Sequence, residues 1–194
     1  MLSVSAARPA AAVDKTGAVA NYEEADGGRS IHEDASRFGK AAEHLVASSC
    51  ILASNMRLNV STAFIDDEGV DLVFHRRDGT ATLGVQVKAR STETSIVRQE
   101  KFIGEVRQAT FRPRRALWML FVLVDKPTAN IQQAWFIPSF DFDRLANHLA
   151  GGTKRRITAS TKPGSNDQWR PYRLMFSELS DRILSVLDDL EQST

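Results

Sequence analysis

Cysteine is almost missing from this sequence: Cys50 is the only one in 194 residues. An internal disulfide and a multi-cysteine zinc site are therefore excluded, and a reducing, cytoplasmic setting is expected. An excess of one charge is also missing. With 25 Lys+Arg against 24 Asp+Glu the formal net charge is +1, so any surface for nucleic acid must be local rather than a property of the whole chain. Long apolar runs are missing too. The longest, residues 116–124, falls far short of the roughly 20 residues that span a bilayer. Residues 1–20 are Ala-rich but broken by Arg8, Pro9, Asp14 and Lys15, unlike a secretion signal, and no membrane role is expected. There is no G-x-G-x-x-G or P-loop to cradle phosphates, and His32, His44, His75 and His148 are scattered without metal-ligand spacing.

What is present suits one α/β domain. Hydrophobic residues make up 42%, enough at this length for one sizeable core, whereas two independent domains would both be small. Residues 1–29 have few large apolar side chains and read as a flexible arm, with a single domain over 30–194. Ser30 and Glu33 have the form of a capping box, and Phe38, Ala42, Leu45, Ser49, Leu52 and Met56 follow at helical spacing. Strands are expected at 58–65, 70–75, 82–89, 116–124 and 134–137, with a late strand at 170–176. Further helices are expected over 99–110, over 140–149 with a stop at Gly151-Gly152, and from Ser177 onward. No internal repeat is visible.

The chemistry lies in one hairpin. Asp78-Gly79 suits a two-residue type I′ turn, and with those two as the loop, the numbers of paired residues sum to 157, setting Asp71 opposite Gln86. Alternation then puts Val70, Leu72, Phe74, Leu83, Val85 and Val87 on one face and Asp71, Gln86 and Lys88 on the other. A carboxylate, an amide oxygen and an ammonium converge. The oxygens suit a hard cation such as Mg²⁺, and Lys88 is placed to orient a water or stabilise charge at phosphorus. A hairpin with one solvated face shows the same alternation. Glu43 lies at the margin of the first helix's apolar stripe, one turn from Gly39, whose mid-helix position suggests close packing on that flank.

In order and spacing, Gly39-x-x-x-Glu43, Gly69-Val70-Asp71-Leu72-Val73 and Gln86-Val87-Lys88 resemble the signature of the PD-(D/E)xK nuclease superfamily. Gln in place of the usual Glu is similar to the Mrr-like branch, and the run VQVKAR with the later FVLVD and WFIP segments resembles prokaryotic restriction-endonuclease-like domains. The likeness spans about residues 31–150 and leaves a C-terminal strand and helix in 151–194. It implies a restriction-endonuclease-like α/β fold, a mixed β-sheet flanked by helices. It further implies Mg²⁺ or Mn²⁺ held by Asp71, the Gln86 side chain and the Val87 carbonyl with help from Glu43, Lys88 as the catalytic lysine, and cleavage of nucleic acid, DNA in the first place, in prokaryotic DNA processing or defence. A homodimer or association with another subunit is compatible with it. Gln86 supplies less negative charge than a carboxylate, which leaves open a module that binds nucleic acid or a protein without cutting.

Basic clusters occur at Arg76-Arg77, at 112–115 and at Lys154-Arg155-Arg156, and Trp169 is flanked by Arg170 and Arg173. They read either as solvated loops or as phosphate contacts with Trp169 as a stacking surface. Asp141 and Asp143 read as helix caps. The stripe Leu179, Ile183, Val186 and Leu190 reads as closing the core.

Overall fold

Two sheets and four α-helices make up the fold of the described residues, which in this computed structural model are 31–62, 69–149 and 151–193. The expected 1–29 arm and the Ser30 half of the capping box lie outside them. In chain order the elements are α1 (Ile31–Ala53), β1 (Leu58–Thr62), β2 (Leu72–Arg76), β3 (Thr82–Ser91), α2 (Ser95–Arg98), β4 (Lys101–Arg107), β5 (Leu117–Asp125), β6 (Asn130–Pro138), α3 (Ser139–Leu145), β7 (Asn147–His148), β8 (Lys154–Ser160), β9 (Arg173–Leu174) and α4 (Leu179–Glu191). The larger sheet has the order β1-β2-β3-β5-β6-β9 and the smaller β4-β8-β7. Strands β3 and β5 are parallel and their other neighbours antiparallel, so the expected mixed sheet flanked by helices is what forms. No helix among the described residues is long and apolar enough to cross a membrane.

Each face of the larger sheet is covered by a different layer. On one, Ala42, Val46 and Cys50 of α1 and Ile183 and Leu187 of α4 pack on Leu72, Phe74, Leu83, Val85 and Val87. The stripe on the last helix does close the core. Burial pushes the Cys50 thiol up to about 12, which makes it an inert core side chain. On the other face, Phe102, Val106 and Ile157 of the smaller sheet cover Met119, Phe121, Trp135 and Ile137. Strand β5, buried from Leu117 to Val124, is apolar without alternation because both of its faces are covered.

The hairpin register is as expected: Leu72 pairs with Val85, Val73 with Gly84, Phe74 with Leu83 and His75 with Thr82. The turn differs. Neither Asp78 nor Gly79 adopts the positive φ of a type I′ turn; the ladder stops at His75–Thr82, and the Thr80 N–H and hydroxyl both donate to Glu191 Oε1 of α4, at 3.0 and 2.9 Å. A Cβ on Gly79 would lie 2.9 Å from Glu191 Oε2, so the tip is shaped by the helix docked on it. Val70 departs from the expected face and joins the core under the smaller sheet, because β2 starts only at Leu72. Nothing lies within 4 Å of a Cβ built on Gly39, so no described residue packs closely there.

Other expectations are corrected by the smaller sheet. Residues 99–110 hold strand β4 rather than a helix, with Phe102, Gly104 and Val106 turned inward in strict alternation. Lys154-Arg155-Arg156 opens β8 instead of lying in a loop. The helix expected over 140–149 ends at Leu145; Asn147 and His148 pair with β8, and Gly151 and Gly152, at φ 83° and 66°, turn the chain between β7 and β8. Asp141 and Asp143 cap no helix: they pair with Arg144 at 2.8 Å and Arg155 at 2.6 Å. The late strand is reduced to Arg173–Leu174.

Strand β4 sits so close to the larger sheet that a Cβ on Gly104 would lie 2.7 Å from two ring carbons of Phe121 and 3.0 Å from Ile157 Cγ2. Gly104→Ala is therefore expected to destabilise the protein by about 1–3 kcal/mol through overpacking, read as a lowered midpoint in chemical denaturation. An unchanged midpoint would mean that β4 is not seated on Phe121.

Candidate active site

Strand β3 outlasts its neighbour. The Asp71 N–H still donates to Val85 O at 3.0 Å, but before it the chain leaves the sheet at Gly69, whose φ is 65°. From Gln86 to Ser91, β3 keeps β5 as its partner on one side and loses β2 on the other. Among the described residues the result is a notch at the sheet's edge.

Asp71 is brought into that notch. Its Oδ2 accepts the Val87 N–H at 2.7 Å, so a side chain takes over the backbone pairing where the ladder ends. Within a strand the N–H and C=O of one residue point to the same side, which turns the Val87 carbonyl toward the notch as well. Lys88 Nζ lies 3.7 Å from the same Oδ2. The carboxylate is 7% exposed and the lysine side chain 35%: a sheltered anion beside a cation that still reaches solvent.

Gln86 and Lys88 point to the face covered by the smaller sheet, as their β5 partners Met119 and Phe121 do. Gln86 is buried. A Cβ on Gly69 would lie 3.0 Å from Gln86 Nε2 and 3.4 Å from Thr110 Oγ1, so glycine is favoured there both by its φ and by the space the amide fills. Thr110 is a neighbour that sequence reasoning missed; it ends the segment read as helical, and no motif marks it. Glu43 is buried beside the α1 core residues and paired with Lys40 Nζ at 2.8 Å. The structure therefore gathers Asp71, Gln86, Val87 and Lys88 at one edge, while Glu43 lies on the helix covering the opposite face.

The donor set is one of hard oxygens: the Asp71 carboxylate, the Gln86 amide and the Val87 carbonyl. It fits Mg²⁺ or Mn²⁺, which retain several waters and need few protein ligands. Among the described residues no group of three or more His, Cys, Asp or Glu side chains forms a metal cluster, so a cation at this notch would depend on the amide and the backbone.

Trp169 is 1% exposed, packed beside Phe142 and Tyr172, and offers no surface for stacking bases. Arg173 is engaged with Gln133 Oε1 at 2.7 Å and Lys162 O at 2.8 Å. Arg155 is buried between Asp143, Gln108 Oε1 and the Phe111 ring. These three hold the fold together.

No model of a known protein family and no curated protein matches the chain. Among solved structures it is similar to a bacterial homing endonuclease, I-Ssp6803I, at 18% identity and a TM-score of 0.48, over 85% of this chain and 99% of that one. It is also similar to Hjc, a Holliday junction resolvase of Archaeoglobus fulgidus, at 12% identity and a TM-score of 0.43, over 74% and 96% of the two chains.

Gln86→Glu would bring a second carboxylate into a buried position beside Asp71. Thermal unfolding in a chelating buffer is expected to show a loss of about 1–3 kcal/mol, recovered in part on adding Mn²⁺. Equal stability of the two proteins with and without the cation would place the Gln86 side chain away from Asp71.

Proposed function

We propose that this protein is a divalent-metal-dependent nuclease that hydrolyses phosphodiester bonds, with DNA as its substrate. The single observation that carries the reading is the Asp71 carboxylate, oriented by the Val87 N–H and faced by Lys88 across 3.7 Å, at the open edge of a strand. Asp71, the Gln86 amide and the Val87 carbonyl would hold Mg²⁺ or Mn²⁺, without Glu43, which is paired with Lys40 on the helix over the other face. When bound, such a cation supplies neutralisation of phosphate charge and acidification of water. The chain's own contribution is positioning. The Val87 N–H fixes the carboxylate's rotation, Gln86 sets the donor spacing, and the partly exposed Lys88 ammonium directs a water at phosphorus or stabilises charge on a non-bridging oxygen as the bond to the leaving sugar oxygen breaks.

A second reading, a nuclease-type scaffold that binds without cutting, is favoured by one observation. Lys88 already neutralises Asp71 directly, and Gln86 adds no negative charge with which to recruit a cation.

The two are separated by incubating purified protein with supercoiled, linear, branched and single-stranded DNA and with RNA, with and without Mg²⁺ or Mn²⁺. The nuclease reading expects metal-dependent cleavage of DNA, lowered by about 10²–10³ in Lys88→Ala with the melting temperature retained. No cleavage of any substrate favours the second reading, and an unchanged rate in Lys88→Ala removes that residue from the mechanism.

A further inference from the structure

The smaller sheet does more than cover the core. Its inner positions are apolar or packed against the larger sheet, while the outward positions of β4 and β8 carry Lys101, Arg107, Lys154 and Arg156 against the single carboxylate Glu105. The strand pairing brings these groups together in space, with Arg107 opposite Lys154 and Glu105 opposite Arg156. The only other outward side chains on these strands are Ile103, Thr158 and Ser160. A solvated polar face is ordinary for an antiparallel sheet, but an excess of three positive charges on one face is not what this chain's composition provides by default. Its overall net charge is only +1.

The face is attached to the notch. Arg90, two residues beyond Lys88 on the same side of β3, donates through Nε to the Ile103 carbonyl of β4 at 2.8 Å; the step from Lys88 to Arg90 is about 7 Å. Gly104 against Phe121 fixes the sheet's seat. Lys101 and Arg107 stand at opposite ends of β4, about 20 Å apart at the rise of an extended strand. That span is too long for one small anion and suits a polymer that repeats its phosphates at intervals of a few ångströms. Lys154 Nζ lies 2.8 Å from Glu105 Oε2 and Arg156 bonds to the other oxygen, so two of the four cations share one carboxylate, which phosphates would displace.

We propose that double-stranded DNA lies across the outer face of the β4–β8 ribbon, its backbone phosphates held by Lys101, Arg107, Lys154 and Arg156, with one strand delivered past Arg90 to the Asp71–Lys88 notch. Only the delivery step rests on the nuclease reading; the binding face does not. These are backbone contacts, which position the duplex without reading its sequence.

The test is binding of a short fluorescent DNA duplex to the full chain, followed by anisotropy across a range of KCl in EDTA, so that cleavage does not enter. Lys101→Ala with Arg107→Ala is expected to weaken binding at least tenfold and to reduce the slope of log affinity against log salt by about 2, near 0.9 for each lost phosphate contact. Glu105→Gln is expected to strengthen binding. Lys154→Gln with Arg156→Gln gives the same readout should the first pair misfold. No duplex binding by the wild type, an unchanged slope in folded double variants, or tighter binding of an RNA duplex would overturn the proposal. A double variant that loses binding while the wild type cuts nothing in Mg²⁺ leaves the face standing and removes the nuclease reading. Cleavage by a double variant that binds and cuts like the wild type does the reverse.

Discussion

One hydrogen bond organises the candidate site: the Val87 N–H donates to the Asp71 carboxylate at 2.7 Å, where β2 has ended and β3 has not. A backbone N–H at the edge of a sheet needs an acceptor, and a buried carboxylate needs donors. Each meets the other's requirement, which allows an anion to be sheltered in a fold that would otherwise exclude it. Gly69 belongs to the same arrangement. Its positive φ turns the chain out of the sheet, and its missing Cβ leaves room for the Gln86 amide. Lys88 supplies the counter-charge from the same strand.

The remaining architecture holds β3 still. Helices α1 and α4 bury Val85 and Val87 on one face, and the smaller sheet covers the residues beside Gln86 and Lys88 on the other. Strand β3 is thereby fixed against translation and twist, and the alternation of its side chains becomes a spatial arrangement: apolar residues toward the helices, Gln86 and Lys88 toward the smaller sheet. Rigid elements hold reacting groups in place better than loops do. The same smaller sheet presents basic residues outward, so one layer serves packing on its inner side and charge on its outer side.

Much of this was legible in the residues alone. The hairpin register followed from where Asp78-Gly79 falls between two alternating segments, and it holds although the turn is not type I′, because the strands pair without a bulge and the centre of the hairpin is unchanged. Asp71, Gln86 and Lys88 came with it. The smaller sheet was much less legible. Phe102 and Val106 are four apart, a spacing that helices and strands share, and Lys101, Glu105, Arg107 and Gln108 around them are good helix formers; Ile103 and Gly104 lean the other way, and packing against Phe121 and pairing with β8 decide for a strand. Lys154-Arg155-Arg156 looked uniformly solvated, yet strand alternation sends Arg155 inward to Asp143 and its neighbours outward. Trp169 resembled a stacking platform because charge flanks it in sequence, whereas in space it is enclosed by Phe142 and Tyr172.

The central claim is that Asp71 and its neighbours on β3 form a cation site, and isothermal calorimetry of Mn²⁺ binding to the wild type and to Asp71→Asn tests it most directly. Asparagine retains an oxygen to accept the Val87 N–H but carries no charge, so it separates cation binding from folding. The account predicts saturable binding to the wild type and none to a folded Asp71→Asn protein; no binding to the wild type, or equal affinity in both, would contradict it.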